Sequence, residues 1–194
     1  MKEIIPKDSR YIPLVQQKYC CSPTSMLMVM LRHGIPLVPQ EVLGYYLGLI
    51  VPPPDKKFFW NVRTGKSPSA GYGTQIKKFD PNKAFKKLNI PLQFNFHPIS
   101  KFSASSFVKF MAQGVKQDKD LLVCFNHAFL NQEKGQVGHV CVLDRIYPNR
   151  GLIRLIDPQQ SQPKWRIVKI QELHKATVNH GDSNMAGFWE LKKI

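Results

Sequence analysis

Five positions in this sequence have the side-chain types and the order that thiol-based acyl transfer requires. Cys21 stands in QQKYCCSPTSMLMVML (residues 16–31), His139 in GHVCVLDRI and Asp157 in GLIRLIDP, while Gln16 and Gln17 lie just ahead of the cysteine. Attack of a thiol on a carbonyl needs a base for its proton, a group that holds the base, and a donor for the oxyanion that develops. A cysteine at the mouth of a helix is favoured as the thiolate, because orphan backbone N–H groups and the positive end of the helix dipole face it. Its pKa can then fall from about 8.5 into a range of roughly 3.5–7.5. The side-chain amide of Gln16 or of Gln17 can share the oxyanion with the backbone N–H of Cys21.

The elements around these residues set their positions. Ser22 can cap a helix and Pro23 suits its first position; the run from Met26 to Leu31 is apolar all round, which marks a helix buried within a core. That helix stops at His33-Gly34, ahead of Pro36. A short second helix is expected over 40–49. Asp80-Pro81 opens a third that runs to about Leu88, and Ser103 caps a fourth through Phe107, Phe110 and Met111 to Gly114. From there the pattern changes to strands over 121–125, 139–146, 151–157 and 165–169, then a helix over 171–179 and a closing strand GFWELK. Residues 148–151 read as a turn. If the strands on either side of that turn form a hairpin, the start of the first lies beside the end of the second, and His139 and Asp157 become neighbours. The expectation is an α+β fold, helical in its N-terminal half with an antiparallel sheet in its C-terminal half, in one domain over 1–194.

Composition bounds the alternatives. A chain of 194 residues buries roughly 70% of the surface its unfolded form exposes and needs no disulfide scaffold. The four cysteines (Cys20, Cys21, Cys124, Cys141) form no zinc-type Cys-x-x-Cys pair, and two are sequence neighbours, so they read as reduced. The start, MKEIIPKDSRYIPL, lacks the apolar core of a signal peptide, and no stretch approaches a membrane span, which points to the cytoplasm. The formal net charge is +15, but the lysines are spread in pairs with no arginine-rich block and no nucleic-acid reading motif. An acidic peptide or protein substrate suits that charge better than nucleic acid. No cofactor is implied, and the histidine spacing supports no metal site. Residues 52–75, rich in proline, glycine, serine and lysine but carrying Phe58-Phe59-Trp60, read either as a lid or binding loop or as a surface excursion that packs its aromatics on the core.

The layout Gln-x4-Cys-x-Pro-Thr-Ser at a helix head, Gly-His-Val-x-Val opening a strand and Ile-Asp-Pro closing the next resembles the papain-like cysteine peptidase superfamily, in particular the bacteriocin-processing peptidases that cut after double-glycine leaders. The resemblance runs from about Tyr11 to Leu191 and implies Cys21 as nucleophile, His139 as base, Asp157 as its orienting group and Gln16 as oxyanion donor. Ser22 stands where that family has glycine. From Gly138 onward, through Pro163-Lys164-Trp165 and Gly187-Phe188-Trp189, the chain is also similar to phytochelatin synthases, papain-like enzymes that transfer a γ-glutamylcysteine unit.

Other candidates fit less well. Asp144 lies too far along the strand to hold the His139 imidazole; Cys124 and Cys141 read as core; His127 reads as a loop histidine satisfied by solvent; His174 and His180 have no evident partner; Cys20 could act as a decoy thiol. Three functions from different classes follow: a cysteine peptidase or isopeptidase working through a thioester, an acyl or γ-glutamyl transferase with the same residues, and a binding module on a papain-like frame.

Overall fold

The computed structural model of the protein describes residues 9–66 and 71–194. Helix α1 (Cys21–Arg32) is buried along its length from Ser22 to Met30, as an all-round apolar run requires. It begins two residues earlier than the capping pattern suggests. Thr24 donates both its N–H (3.0 Å) and its hydroxyl (2.7 Å) to the Cys20 carbonyl, so Cys20 is the cap and Cys21 the first helical residue. Ser22 falls inside the first turn, and its hydroxyl accepts a bond from Thr74 (3.0 Å) instead of closing a cap. The chain enters this turn through Tyr19 at φ 66°, a left-handed conformation uncommon outside glycine.

Four of the other helices follow local signals. Helix α2 (Gln40–Tyr46) stops short of 49 because Gly48 turns left-handed at φ 75°, and the Phe79 ring lies 2.2 Å from where a β-carbon would stand. Asp80 caps α3 (Pro81–Lys87) by accepting the Asn82 N–H, and Ser103 caps α4 (Ala104–Lys116) by accepting that of Ser106. A one-turn helix α5 (His127–Leu130) occupies what the sequence suggests is a loop. Helix α6 (Ile170–His180) ends at Gly181.

The strands are β1 (Ile50–Val51), β2 (Arg63–Thr64), β3 (Leu92–Pro98), β4 (Asp120–Asn126), β5 (Gly138–Tyr147), β6 (Leu152–Ile156), β7 (Trp165–Lys169) and β8 (Gly187–Lys193). Six of them form one antiparallel sheet in the order β3-β8-β4-β5-β6-β7. Alternation of side chains divides the core into two layers. Leu122, Cys124, Val140, Val142 and Ile156 face α1, while Val123, Phe125, Cys141, Leu155 and Phe188 pack with residues of α4 and α6. The fold is thus the expected α+β type, and its main sheet gains one strand the sequence did not suggest, β3, which pairs with the C-terminal strand, Leu92 opposite Lys193.

A bulge between Leu143 and Arg145 lets Asp144 meet Arg154 across the sheet, both fully buried. Ser9 Oγ (2.9 Å) and the Arg10 N–H (3.2 Å) also donate to this carboxylate, which pins the N-terminal segment to the sheet. Arg154→Met removes the charge that compensates Asp144 and is expected to lower unfolding stability by about 3–5 kcal/mol. Urea unfolding measures it, and a loss below about 1 kcal/mol contradicts this account of the pair.

The proline-rich excursion is ordered where it is described, with residues 67–70 outside the described residues. β1 and β2 pair in parallel, Ile50 bridges to Gly73, and a 3-10 turn spans Pro53–Phe58. Phe59 packs with Cys20, Leu49 and Val51, whereas Phe58 is exposed and Trp60 is 93% exposed. One aromatic of the three therefore serves the core.

Candidate active site

Where β5 and β6 part company, α1 takes over their pairing. The register ends at Val142 opposite Ile156, and Pro158 offers no N–H to extend it. The Val140 carbonyl instead accepts the Ser25 hydroxyl (3.0 Å), and the Cys21 thiol lies beside the Val140 backbone. This wedge brings the head of α1 to the end of the strand that carries His139. His139 is nearly buried and its Nε2 stands 2.7 Å from Asp157 Oδ1, with Asp157 fully buried. Nδ1 is the ring nitrogen not engaged by Asp157, and the thiols of Cys21 and Cys141 both lie close enough to His139 to bias its charge.

The protonation states follow from these contacts. Burial pushes the Cys21 thiol up, but the His139 hydrogen bond and charge, the Val140 N–H and the Ser22 hydroxyl outweigh it, and the thiol lies below its ordinary value. Burial pushes His139 down, yet its neighbours Cys141, Asp157 and Cys21 carry it well above the usual imidazole range. Asp157 is pulled down to about 2 against its burial, by His139, by the Gln159 N–H and by Arg166. Thiolate and imidazolium favour one another here, held over a fixed carboxylate.

Asp157 carries a signature in pH. Its carboxyl titrates near 3.9 unfolded and at about 2 folded. A depressed folded pKa adds stability that is complete above about pH 4 and is lost as the pH falls through 2, roughly 2 kcal/mol in all. Between pH 5 and 2 the native protein should therefore lose about 2 kcal/mol more stability than Asp157→Asn, measured by urea unfolding at each pH. Parallel losses in the two proteins contradict this.

Gln16 and Gln17 diverge. The Gln16 side chain reaches the turn after β6, donating from Nε2 to Gln159 Oε1 (2.9 Å), while its backbone N–H donates to the Pro158 carbonyl (2.9 Å). Gln17 instead sends its Nε2 to the Phe58 carbonyl (2.8 Å). Lys18 and Tyr19 both bond Asp55 (2.9 and 2.6 Å), and Trp60 N–H bonds Glu41 (2.8 Å). Gln16 thus joins the His139–Asp157 neighbourhood, and Gln17 ties the aromatic excursion to the segment that leads into Cys21.

Several neighbours escape a reading of the sequence. His127 is half-buried: its ring lies edge-on to His139 with centroids 4.8 Å apart, and burial beside that charge pushes it down to about 4, so it is neutral. Asn131 bonds the His127 ring through Nδ2 and accepts from Arg166, whose other guanidinium nitrogen reaches Asp157 Oδ2 (3.2 Å). Arg166 has a signal that could have found it: a buried arginine inside a strand demands an anion. His180 backs the strand start, its Nε2 2.9 Å from where a β-carbon on Gly138 would stand, so glycine ahead of His139 reflects close packing. Cys20 is fully buried and burial pushes its thiol up to about 12, which removes it as a decoy. Cys141 is likewise pushed up to about 12 by burial. Asp144 is committed to Arg154, as its distance along the strand suggests.

His127, His139 and Asp157 present ligand atoms within 4.8 Å of one another, a grouping that could suggest a metal. However, Asp157 already accepts from His139 and the Gln159 N–H on Oδ1 and from Arg166 on Oδ2, and a guanidinium at that position opposes a cation. Among the described residues, no helix is long and apolar enough to cross a membrane.

A cysteine thus heads a buried helix packed on an antiparallel sheet, which offers a histidine at one strand start and a carboxylate at the next strand end. In fold the chain is similar to a solved C39-like peptidase. It superposes on a crystal structure from Bacillus anthracis, described as a C39-like peptidase, with a TM-score of 0.58 over 100% of this chain and 99% of that one. The sequences are 16% identical, so the likeness is one of fold. No protein-family model matches the chain, and no curated protein matches it in sequence.

Proposed function

We propose that the protein is a cysteine peptidase or isopeptidase that cleaves a peptide-type amide through a thioester on Cys21. The observation that carries this reading is the placement of Cys21, at the head of α1, beside His139, whose Nε2 is held at 2.7 Å by a buried carboxylate. In the first step the Cys21 thiolate attacks the carbonyl carbon, and the Cys21 N–H and the Gln16 amide stabilise the oxyanion. His139, protonated in the resting pair, gives its proton to the leaving amine. Water then attacks the thioester, His139 takes its proton, and the acid product leaves with the thiolate restored.

The exposed Phe58 and Trp60, tied through Gln17 to the Cys21 segment, supply a surface for the substrate chain. A net charge of +15 favours an acidic substrate. The resemblance of the C-terminal half to phytochelatin synthases supports a second reading with the same first step, in which an amine or thiol replaces water as acceptor. Treatment with p-nitrophenyl acetate tests the shared chemistry. Intact mass should show a transient acetyl group on Cys21, and added amines or thiols that divert it separate transfer from hydrolysis. A protein that is never acetylated at Cys21 contradicts both readings.

A further inference from the structure

Gln16 belongs to a segment without regular structure, and a glutamine side chain left free there would sample many rotamers. Oxyanion stabilisation depends on donors that are already in place when charge develops. The question is what holds this amide.

We propose that Gln159 is the positioning residue of the oxyanion donor, and that the turn Asp157-Pro158-Gln159 mounts the donor and the base-orienting carboxylate as one unit. This rests on the acyl-transfer reading above. Three bonds build the unit. Gln159 Oε1 accepts from Gln16 Nε2 (2.9 Å), the Pro158 carbonyl accepts the Gln16 N–H (2.9 Å), and the Gln159 N–H donates to Asp157 Oδ1 (2.9 Å). The turn itself is closed by the Asp157 N–H on the Lys164 carbonyl (3.1 Å), and Lys164 Nζ donates to the Gln159 carbonyl.

Gln16 Oε1 is buried without a partner among the described residues. Exchanging nitrogen and oxygen in both amides preserves the bond between them and turns the Gln16 amino group into that space. In either arrangement Gln159 fixes the plane of the Gln16 amide. Within the site its side chain serves the donor, its other amide atom reaching only Ser161 Oγ (3.5 Å), whereas its backbone serves Asp157. The two duties can be separated, because a side-chain substitution leaves the backbone N–H in place.

Two reactions of the same thiol read them apart. Alkylation by iodoacetamide displaces iodide at carbon and forms no oxyanion, so it reports the Cys21 thiolate. Acylation by p-nitrophenyl acetate passes through a tetrahedral oxyanion and releases nitrophenolate. Deleting an oxyanion donor outright costs a factor of about 10²–10³, and Gln16→Ala is expected to slow acylation by about 100-fold. Loosening that donor should cost less: Gln159→Ala, and Gln159→Met with similar length but no amide, are expected to slow acylation about tenfold. Alkylation should stay within about twofold in all three. Adding Gln159→Ala to Gln16→Ala should change nothing further, since the two act through one bond.

Native-like acylation in Gln159→Met, a parallel fall in both reactions, or additive effects with Gln16→Ala each overturn the inference. If the native protein alkylates no faster than a free thiol and is not acylated, the acyl-transfer reading itself fails and the inference falls with it.

Discussion

Cys21→Ala should reduce amide or ester turnover to the background rate, a loss of at least about 10⁴-fold, while leaving the fold intact. The side chain is half-buried at the first position of α1, and removing one sulfur atom there disturbs none of the bonds that set the helix start. Those bonds run through Thr24 and the Cys20 carbonyl. No other thiol can substitute, because Cys20, Cys124 and Cys141 are buried and burial holds each of them up. The check is turnover of an ester or peptide substrate against an unfolding curve for the same variant. Retained turnover, or turnover lost only along with stability, contradicts the assignment.

His139→Ala should be nearly as severe, and it separates two effects. The variant loses the group that gives and takes the proton, and turnover should fall by about 10⁴-fold. It also loses the bond and charge that hold Cys21 below its ordinary value, leaving burial to push the thiol up. The thiolate therefore persists to lower pH in the native protein than in the variant. The alkylation profile should move to higher pH in His139→Ala, and at neutral pH the rate should drop by at least about tenfold. A profile that does not move means the imidazole and thiol are not coupled. Asp157 and Arg166 would remain buried with each other in that variant, so the carboxylate is not left uncompensated.

How far these residues could be read from the chain depends on whether their signals are local. Cys21, His139 and Asp157 each stand at an element end with its own punctuation: Pro23 in the first turn of α1, Gly138 ahead of the strand, Pro158 after β6. The hairpin through Gly151, left-handed at φ 63°, is equally local and brings the last two together. β3 lacked such a signal, because Leu92, Phe94 and Phe96 alternate correctly but their partner strand lies at the other end of the chain, with Phe94 opposite Leu191. His127 meets His139 only because β4 pairs with β5, Phe125 opposite His139. Gln159 meets Gln16 across 143 positions of sequence, for which no spacing rule exists. The helix start was displaced by two residues because the cap is a backbone carbonyl, on Cys20, and the serine that looks like a cap is engaged by Thr74. Cys20 and Cys21 are indistinguishable as letters, and the helix alone separates them, turning one into the core and the other toward His139.

The central claim is that Cys21 and His139 form a reactive pair. It is tested most directly by the pH dependence of iodoacetamide alkylation, followed by intact mass, in the native protein, Cys20→Ser, Cys21→Ser and His139→Ala. The account predicts one adduct in the native protein and in Cys20→Ser, formed faster than on a free thiol at neutral pH with a profile displaced below the ordinary thiol range. It predicts no such adduct in Cys21→Ser and a slower, alkaline-shifted one in His139→Ala. Rapid labelling that survives Cys21→Ser, or a native profile that coincides with that of His139→Ala, would contradict it.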